Sequence, residues 1–194
     1  VNDHVESTKY RTVAEGFKSA IAADAVDYNL VYFLKDKIND DVVYIYRFEP
    51  GNSPALNLHH AHITVIVDSR NKLKGFARTD EKMAGNNTMD DDKCRQLALA
   101  FINEYAPDLT DIRFQWINNQ QISLTDNSNN KKELTGKWVK YREAKSGHYL
   151  WVILAPDGRI MEFDRDIVWS FFRGGRVNEL WLRDEWLAKR MTKK

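Results

Sequence analysis

The chain has 194 residues, with 29 Lys and Arg against 28 Asp and Glu, one Cys, six Trp and 43% apolar residues. That supply of apolar side chains builds a core and excludes wholesale disorder, and the single Cys excludes an intramolecular disulfide scaffold or a cysteine-based zinc site. A formal charge of +1 gives no global field for nucleic acid or an anionic membrane, and no apolar run approaches the ~18 residues of a membrane-spanning helix.

The first strong period runs from Tyr10 to Ala25, where Val13, Phe17, Ala20, Ile21 and Asp24 recur at spacings of three and four. This predicts an amphipathic helix, with Thr12 and Glu15 as a capping box. The period then falls to two. Tyr28 to Leu34, Val42 to Phe48, His62 to Val67 and Lys72 to Arg78 predict four strands. Asn39-Asp40-Asp41, Pro50 to Pro54 and Asp68 to Asn71 separate them as turns and loops.

A polar stretch from Thr79 to Asp92, containing Gly85-Asn86-Asn87, is the best boundary, and the order of elements then restarts. Asp90, Asp91 and Asp92 suit a helix start. Cys94, Leu97, Ala98, Phe101, Ile102 and Tyr105 form an apolar stripe ending before Pro107, in which Cys94 is expected as a buried structural thiol. Ile112 to Ile117 predicts a strand, Asn118-Asn119 a turn, Gln121 to Thr125 a short return strand and Asp126 to Lys132 a polar loop. Trp138 to Tyr141, Tyr149 to Leu154 and Arg159 to Phe163 predict three more strands, the last two joined by an Ala155-Pro156-Asp157-Gly158 turn.

The two halves align by their last hairpins. Ile63, Val65 and Val67 match Leu150, Val152 and Leu154. Asn71 falls on Gly158, and Leu73 and Phe76 fall on Ile160 and Phe163. Val43 to Arg47 corresponds to Trp138 to Arg142. Two repeats are too few for a solenoid but suit two α+β modules, each with a helix on one face of an antiparallel sheet. Residues 1–85 form the first module, 86–170 the second and 171–194 a C-terminal tail. The segments "HITVIVDSRNKLKGF" and "YLWVILAPDGRIMEF", each preceded by a helix and a β-rich strand, resemble PepSY-type modules. They are also similar to the propeptide domains of thermolysin-like metalloproteases and to YcdB/YcdC-like bacterial proteins. The first copy departs from that pattern, with Asn71 in place of Gly. The resemblance implies two tandem cystatin-like folds and a non-catalytic, extracytoplasmic role, binding or restraining a peptidase or another cell-envelope protein. It supplies no catalytic residue and no cofactor. Val1 in place of an initiator Met carries the matching expectation that a signal peptide has been removed. NTF2-like domains share a curved sheet and a late "DGRI" turn. They make a small-ligand binder or enzyme with a concave-sheet pocket the alternative.

In the tail, Ile167 to Phe172 is a dense apolar run broken by Gly174-Gly175. Val177, Leu180, Trp181, Asp184, Leu187 and Met191 then predict a helix closed by basic residues, packed on the second sheet. Phe171, Phe172, Trp181 and Trp186 are the candidate partner-binding residues, because clustered aromatics favour interfaces. His60 and His62 are weak metal candidates on one strand face, with His59 on the other. Glu162, Asp164 and Asp166 share a strand face and, with Asp157, form a carboxylate cluster, which a solvated surface explains as well as acid–base chemistry. Arg173 and Arg176 beside Gly174-Gly175 could hold an anion. Trp138 to Arg142 could stack single-stranded nucleic acid, against which the neutral net charge speaks. Asn86-Asn87-Thr88 matches a glycosylation acceptor.

Overall fold

The computed structural model describes residues 3–51, 55–85 and 89–193. Val1, the last three residues of the Pro50–Pro54 loop, the Asn86-Asn87-Thr88 pattern and Lys194 lie outside the described residues. Helix α1 (Asp3–Ile21) precedes strands β1 (Tyr28–Ile38), β2 (Asp41–Pro50), β3 (His62–Asp68) and β4 (Leu73–Thr79). Helix α2 (Asp91–Tyr105) precedes β5 (Ile112–Thr125), β6 (Lys131–Glu143), β7 (Tyr149–Leu154) and β8 (Ile160–Ile167). A small hairpin, β9 (Trp169–Ser170) with β10 (Gly175–Arg176), and helix α3 (Asp184–Thr192) follow. Among the described residues the fold is α+β, with three α-helices and one eight-stranded antiparallel sheet in the order β1-β2-β3-β4-β8-β7-β6-β5.

The two sets of four strands meet at β4 and β8, where Phe76 pairs directly with Phe163. These two residues are counterparts in the sequence alignment, so a local two-fold axis passes between them. Both helices lie on one face of the sheet. Tyr10, Ala14, Phe17 and Ile21 of α1 and Cys94, Ala98, Phe101 and Ile102 of α2 pack on Tyr44, Tyr46, Val65, Val139, Val152 and Phe163. Cys94 is fully buried there, and burial pushes its thiol pKa up. Helix α2 starts as its acidic residues predict, with the Asp90 carboxylate accepting from the Lys93 amide at 2.9 Å. Helix α1 does not start at Thr12. Its first turn lies at Asp3, which places Thr12 and Glu15 mid-helix and leaves them no capping role.

A clamp repeats with the two-fold. After α1, Asp24 accepts from Arg78 of β4 at 2.7 and 2.8 Å and from Arg159 at 3.2 Å. After α2, Asp108 accepts from Arg165 of β8 at 3.0 and 2.6 Å and pairs with Lys72 at 3.5 Å. Arg78 and Arg165 each stand two residues beyond the central Phe, and Arg159 and Lys72 each follow the turn residue of the opposite half. The hairpin turns agree as well: Asn71 (φ 64°) and Gly158 (φ 91°) both adopt the left-handed conformation.

Three further expectations fail. Asn118-Asn119 is not a turn, because β5 runs unbroken to Thr125, with Asn118 opposite Trp138 and Asn119 opposite Lys137. The reversal comes later, where the Asp126 carboxylate accepts from the Ser128 and Asn130 amides at 2.8 and 2.9 Å and Asn129 takes φ 61°. The expected polar loop is thus a tight Asx turn, and that local chemistry overrides two asparagines on an exposed edge strand. The third failure is in the tail. Residues 177–183 are not helical, and the tail covers the first four strands rather than the second set: Trp181 and Leu182, before α3, are buried against Val43, Ile45, Ile66 and Ala77, with Trp186 of α3 packed against that cluster.

Candidate functional site

The sheet face opposite α1 and α2, here the far face, carries the unusual chemistry. On β2, Val43 and Ile45 point to it and so do the charged Arg47 and Glu49, since strand residues alternate. Arg47 is only 1% exposed. A buried guanidinium needs matched acceptors, because a lone charge in a core is strongly unfavourable. The tail supplies one of them. Asp184, at the start of α3, accepts from Arg47 Nη1 at 2.5 Å and Nη2 at 3.1 Å. Glu49 accepts from Arg47 Nε at 2.7 Å. The His59 amide donates to Asp184 at 2.5 Å, from a turn in which His59 takes φ 67°. Burial works against the Asp184 carboxylate, but the His62 and Arg47 charges and the hydrogen bonds from Arg47 and His59 hold its pKa below the usual range.

Two further ion pairs, each with a buried carboxylate, fasten the tail. Arg183 binds Glu162 at 2.9 Å, and Arg176 binds Asp164 at 2.6 Å. Glu162 also accepts from the Trp151 indole at 3.3 Å. Burial pushes the Glu162 pKa up, and Arg183 offsets part of that. Asp166 pairs with Lys74 at 2.5 Å, and Asp157 with Arg159 at 2.7 Å. Glu162, Asp164 and Asp166 are therefore paired charges with little exposure, whereas Asp157 and Arg159 form a surface pair at the turn. Arg176, considered as an anion ligand, is already engaged by Asp164.

A cleft of about 290 Å³ opens between these pairs and the outer end of the β5–β6 hairpin. In a flat sheet β5 and β3 would stand about 24 Å apart, five steps of ~4.8 Å. Instead the Thr125 amide donates to the His59 carbonyl at 2.8 Å, so the sheet curls until the hairpin end meets the loop before β3. Ile122, Leu124 and Leu134 close over Met161, Ile153 and Met83. Gly136 permits this closeness, because a Cβ there would lie 2.5 Å from the Ile153 side chain. His59, His62, Gln121, Ser123, Arg183 and Glu185 are among the cleft's lining residues.

The histidines are not arranged as expected. The strand begins at His62, so His60 lies in the preceding turn and shares no strand face with it. The His60 carbonyl, not its ring, contacts His62, at 2.8 Å from Nδ1. His62 is 6% exposed, and burial lowers its pKa to about 4, with the Asp184 charge opposing. Among the described residues no three His, Cys, Asp or Glu side chains come together as a metal-holding group.

The aromatic candidates divide. Trp181 is buried in the far-face core, and Trp186 is half-buried with its indole donating to Glu179 at 2.5 Å. Neither forms part of an exposed surface with Phe171 and Phe172, which sit at the tip of the β9–β10 hairpin, 77% and 106% exposed. Behind that tip, Lys140 Nζ lies 4.3 Å from the Trp169 ring, 4.4 Å from Tyr149 and 5.1 Å from Trp116. Trp138 stacks edge-on between Trp116 and Trp151, at 4.8 and 5.0 Å. Of the rings considered for nucleic-acid stacking, Trp138 is thus held by its two neighbours, and Tyr141 is buried, edge-on to Phe114. Arg47, Glu49 and Asp184 went unnoticed as a group in the sequence. The available signal was a charged pair two residues apart on a strand whose same-face neighbours, Val43 and Ile45, are apolar.

No helix among the described residues is long and apolar enough to cross a membrane. Compared with protein-family models, with curated proteins and with solved structures, the chain matches none.

Proposed function

We propose that this chain is a non-enzymatic, extracytoplasmic binding protein built from two tandem cystatin-like modules. In this reading it docks on a peptidase or another cell-envelope protein through Phe171 and Phe172. The observation that carries the docking is the exposure of two adjacent Phe rings on a hairpin whose base is fixed by the Arg176–Asp164 pair. Apolar tips on a rigid base lose little conformational entropy on binding and bury area efficiently. The tandem arrangement is supported by the Phe76–Phe163 pairing and by the paired Asp24 and Asp108 clamps. The compartment and the kind of partner rest on the PepSY-type resemblance.

The test compares the chain with a Phe171→Ser/Phe172→Ser variant, both mixed with envelope and secreted fractions of the source organism. The expected result is that the unaltered chain retains a peptidase and lowers its activity, while the variant, melting at the same temperature, does neither. Equal retention by both overturns the docking surface, and retention without inhibition overturns the restraining role.

A second reading, small-ligand binding in a concave-sheet pocket of NTF2-like type, is favoured by the cleft beside His62.

A further inference from the structure

We infer that the cleft beside His62 binds a small protonated primary amine, which donates to His62 Nε2 and to the carboxylates around it. This rests on the ligand-binding reading of the cleft and is independent of docking through Phe171 and Phe172.

The argument starts from a tautomer. His62 Nδ1 lies 2.8 Å from the His60 carbonyl oxygen, which can only accept, so Nδ1 carries the proton. Nε2 then presents a lone pair. It faces Asp184 Oδ1 at 3.7 Å, beyond hydrogen-bond range and with both atoms acceptors. Two acceptors held face to face repel unless a donor lies between them. The protein provides none: Asp184 is bound by Arg47 and the His59 amide, and no hydrogen bond to His62 Nε2 occurs among the described residues. His62 is 94% buried and lines the cleft, so its free acceptor is reached from there. Nε2 is open to the cleft rather than sealed in the core, so a ligand there can donate to it in place of solvent.

The charges around the cleft choose the donor. Among the described residues, Glu162, Asp184 and Glu185 line it with one guanidinium, that of Arg183, which Glu162 binds at 2.9 Å, while Arg47 behind it is shared by Asp184 and Glu49. The α3 N-terminus, whose dipole favours an anion, is already complemented by Asp184 and Glu185 in its first turn. An anion is therefore disfavoured and a cation favoured. A primary ammonium has three donors and can bridge His62 Nε2 and Asp184 Oδ1 with one left for Glu185. A quaternary ammonium has the charge and no donor. The volume of about 290 Å³ leaves room for a short carbon chain behind the ammonium.

The test is calorimetric titration of the full chain at neutral pH with 1,4-diaminobutane, its hexamethylated bis-quaternary analogue, 1,4-butanediol and inorganic phosphate. The ¹⁵N resonance of His62 Nε2 is followed alongside. The diamine is expected to saturate one site and to shift that resonance from a free to a hydrogen-bonded imidazole nitrogen. The quaternary analogue binds about tenfold more weakly or worse, as loss of charged hydrogen bonds predicts. Glu185→Gln weakens the diamine severalfold, and His62→Leu abolishes its binding. If the buried leucine variant does not fold, Glu185→Gln and the unaltered chain's His62 resonance decide. Diamine that fails to saturate, leaves His62 unmoved or binds no better than the quaternary analogue overturns the inference. Binding of butanediol or phosphate instead overturns it while leaving the cleft a ligand site. Absence of binding by all four overturns both.

Discussion

The two halves of the sheet treat their helix faces alike and their far faces differently. On the helix face each half packs an amphipathic helix on alternate strand residues, and an Asp after the helix fastens the last strand. On the far face the first half is covered by chain from the other end of the sequence, with Trp181 and Leu182 on Ile45, Ile66 and Ala77. The second half covers itself. Its outer strands run 14 and 13 residues, against 11 and 10 in β1 and β2, and the extra length folds Ile122, Leu124 and Leu134 back over Met161. An eight-stranded sheet with helices on one face leaves a second apolar face to bury, and here two unrelated covers do so. The cleft lies where they meet, between Gln120–Ser123 of the curled hairpin and Leu182–Glu185 of the tail. The repeated part of the molecule makes the scaffold, and the unrepeated part makes the candidate site.

The sharpest way to break this contrast is Arg47→Met. Methionine keeps much of the side-chain bulk but leaves Asp184 and Glu49 buried without their shared cation. Removal of one partner from a buried pair costs about 3–5 kcal/mol, far more than the pair contributes relative to an apolar replacement. The loss should fall on the tail, seen as a lower urea midpoint and faster proteolysis within residues 171–193, with cleavage in the β5–β6 hairpin unchanged. Uniform cleavage across both regions would show that the two covers are not separate.

The two clamps provide the matched comparison on the other face. Asp108 is held down to about 2, chiefly by its hydrogen bonds from Arg165, with burial opposing. Hydrogen bonds from Arg78 likewise hold Asp24 below the usual carboxylate range. In the unfolded chain such groups take a proton near pH 4. The unfolded state therefore binds more protons below that pH, so each clamp's contribution is complete above pH 4 and declines in acid, that of Asp108 being lost as pH falls through about 2. After allowance for partial exposure, Asp108 contributes roughly 1–2 kcal/mol. Asp108→Asn should lower stability at pH 7 by that amount and flatten the acid limb between pH 4 and 2, and Asp24→Asn should do the same. A large inequality between the two would mean that the repeated geometry does not carry repeated energetics.

The sequence made the repeated part of the molecule legible and little of the rest. Ile63, Val65 and Val67 and their counterparts Leu150, Val152 and Leu154 all face the helices, because period-two alternation over a helix-covered face leaves a clean signal. The clamps were visible in principle as Ala22-Ala23-Asp24-Ala25 and Ala106-Pro107-Asp108-Leu109, one after each helix. The far face was not legible, for a physical reason. Strands β2, β3 and β4 are buried on both sides over most of their length, so Arg47 is buried on a strand where its charge alone suggests exposure. What buries Arg47 is Asp184, 137 residues away, a separation over which periodicity carries no information. The aromatic tail misled for the same reason. Trp181 and Phe172 look alike in sequence, and only the location of Ile45 and Ile66 decides which is core.

The smallest effect tests the repeat at its best-matched point. Asn71 and Gly158 occupy equivalent turns: the amide of each donates back to the third residue before it, Asn71 to Asp68 at 3.0 Å and Gly158 to Ala155 at 2.9 Å. Both have positive φ, where a residue with a Cβ pays about 1–2 kcal/mol and Asn pays less than most. Asn71→Gly should therefore be stabilising or neutral, by a few tenths of a kcal/mol, and Asn71→Ala destabilising by about 1 kcal/mol. Gly158→Ala should cost more than Asn71→Ala costs, because the added Cβ also lies 3.2 Å from Leu97 Cδ1 of helix α2. Thermal melts of the three variants rank them. An alanine at 158 tolerated as well as one at 71 would mean that α2 yields at that contact and that its half of the helix face is the softer one.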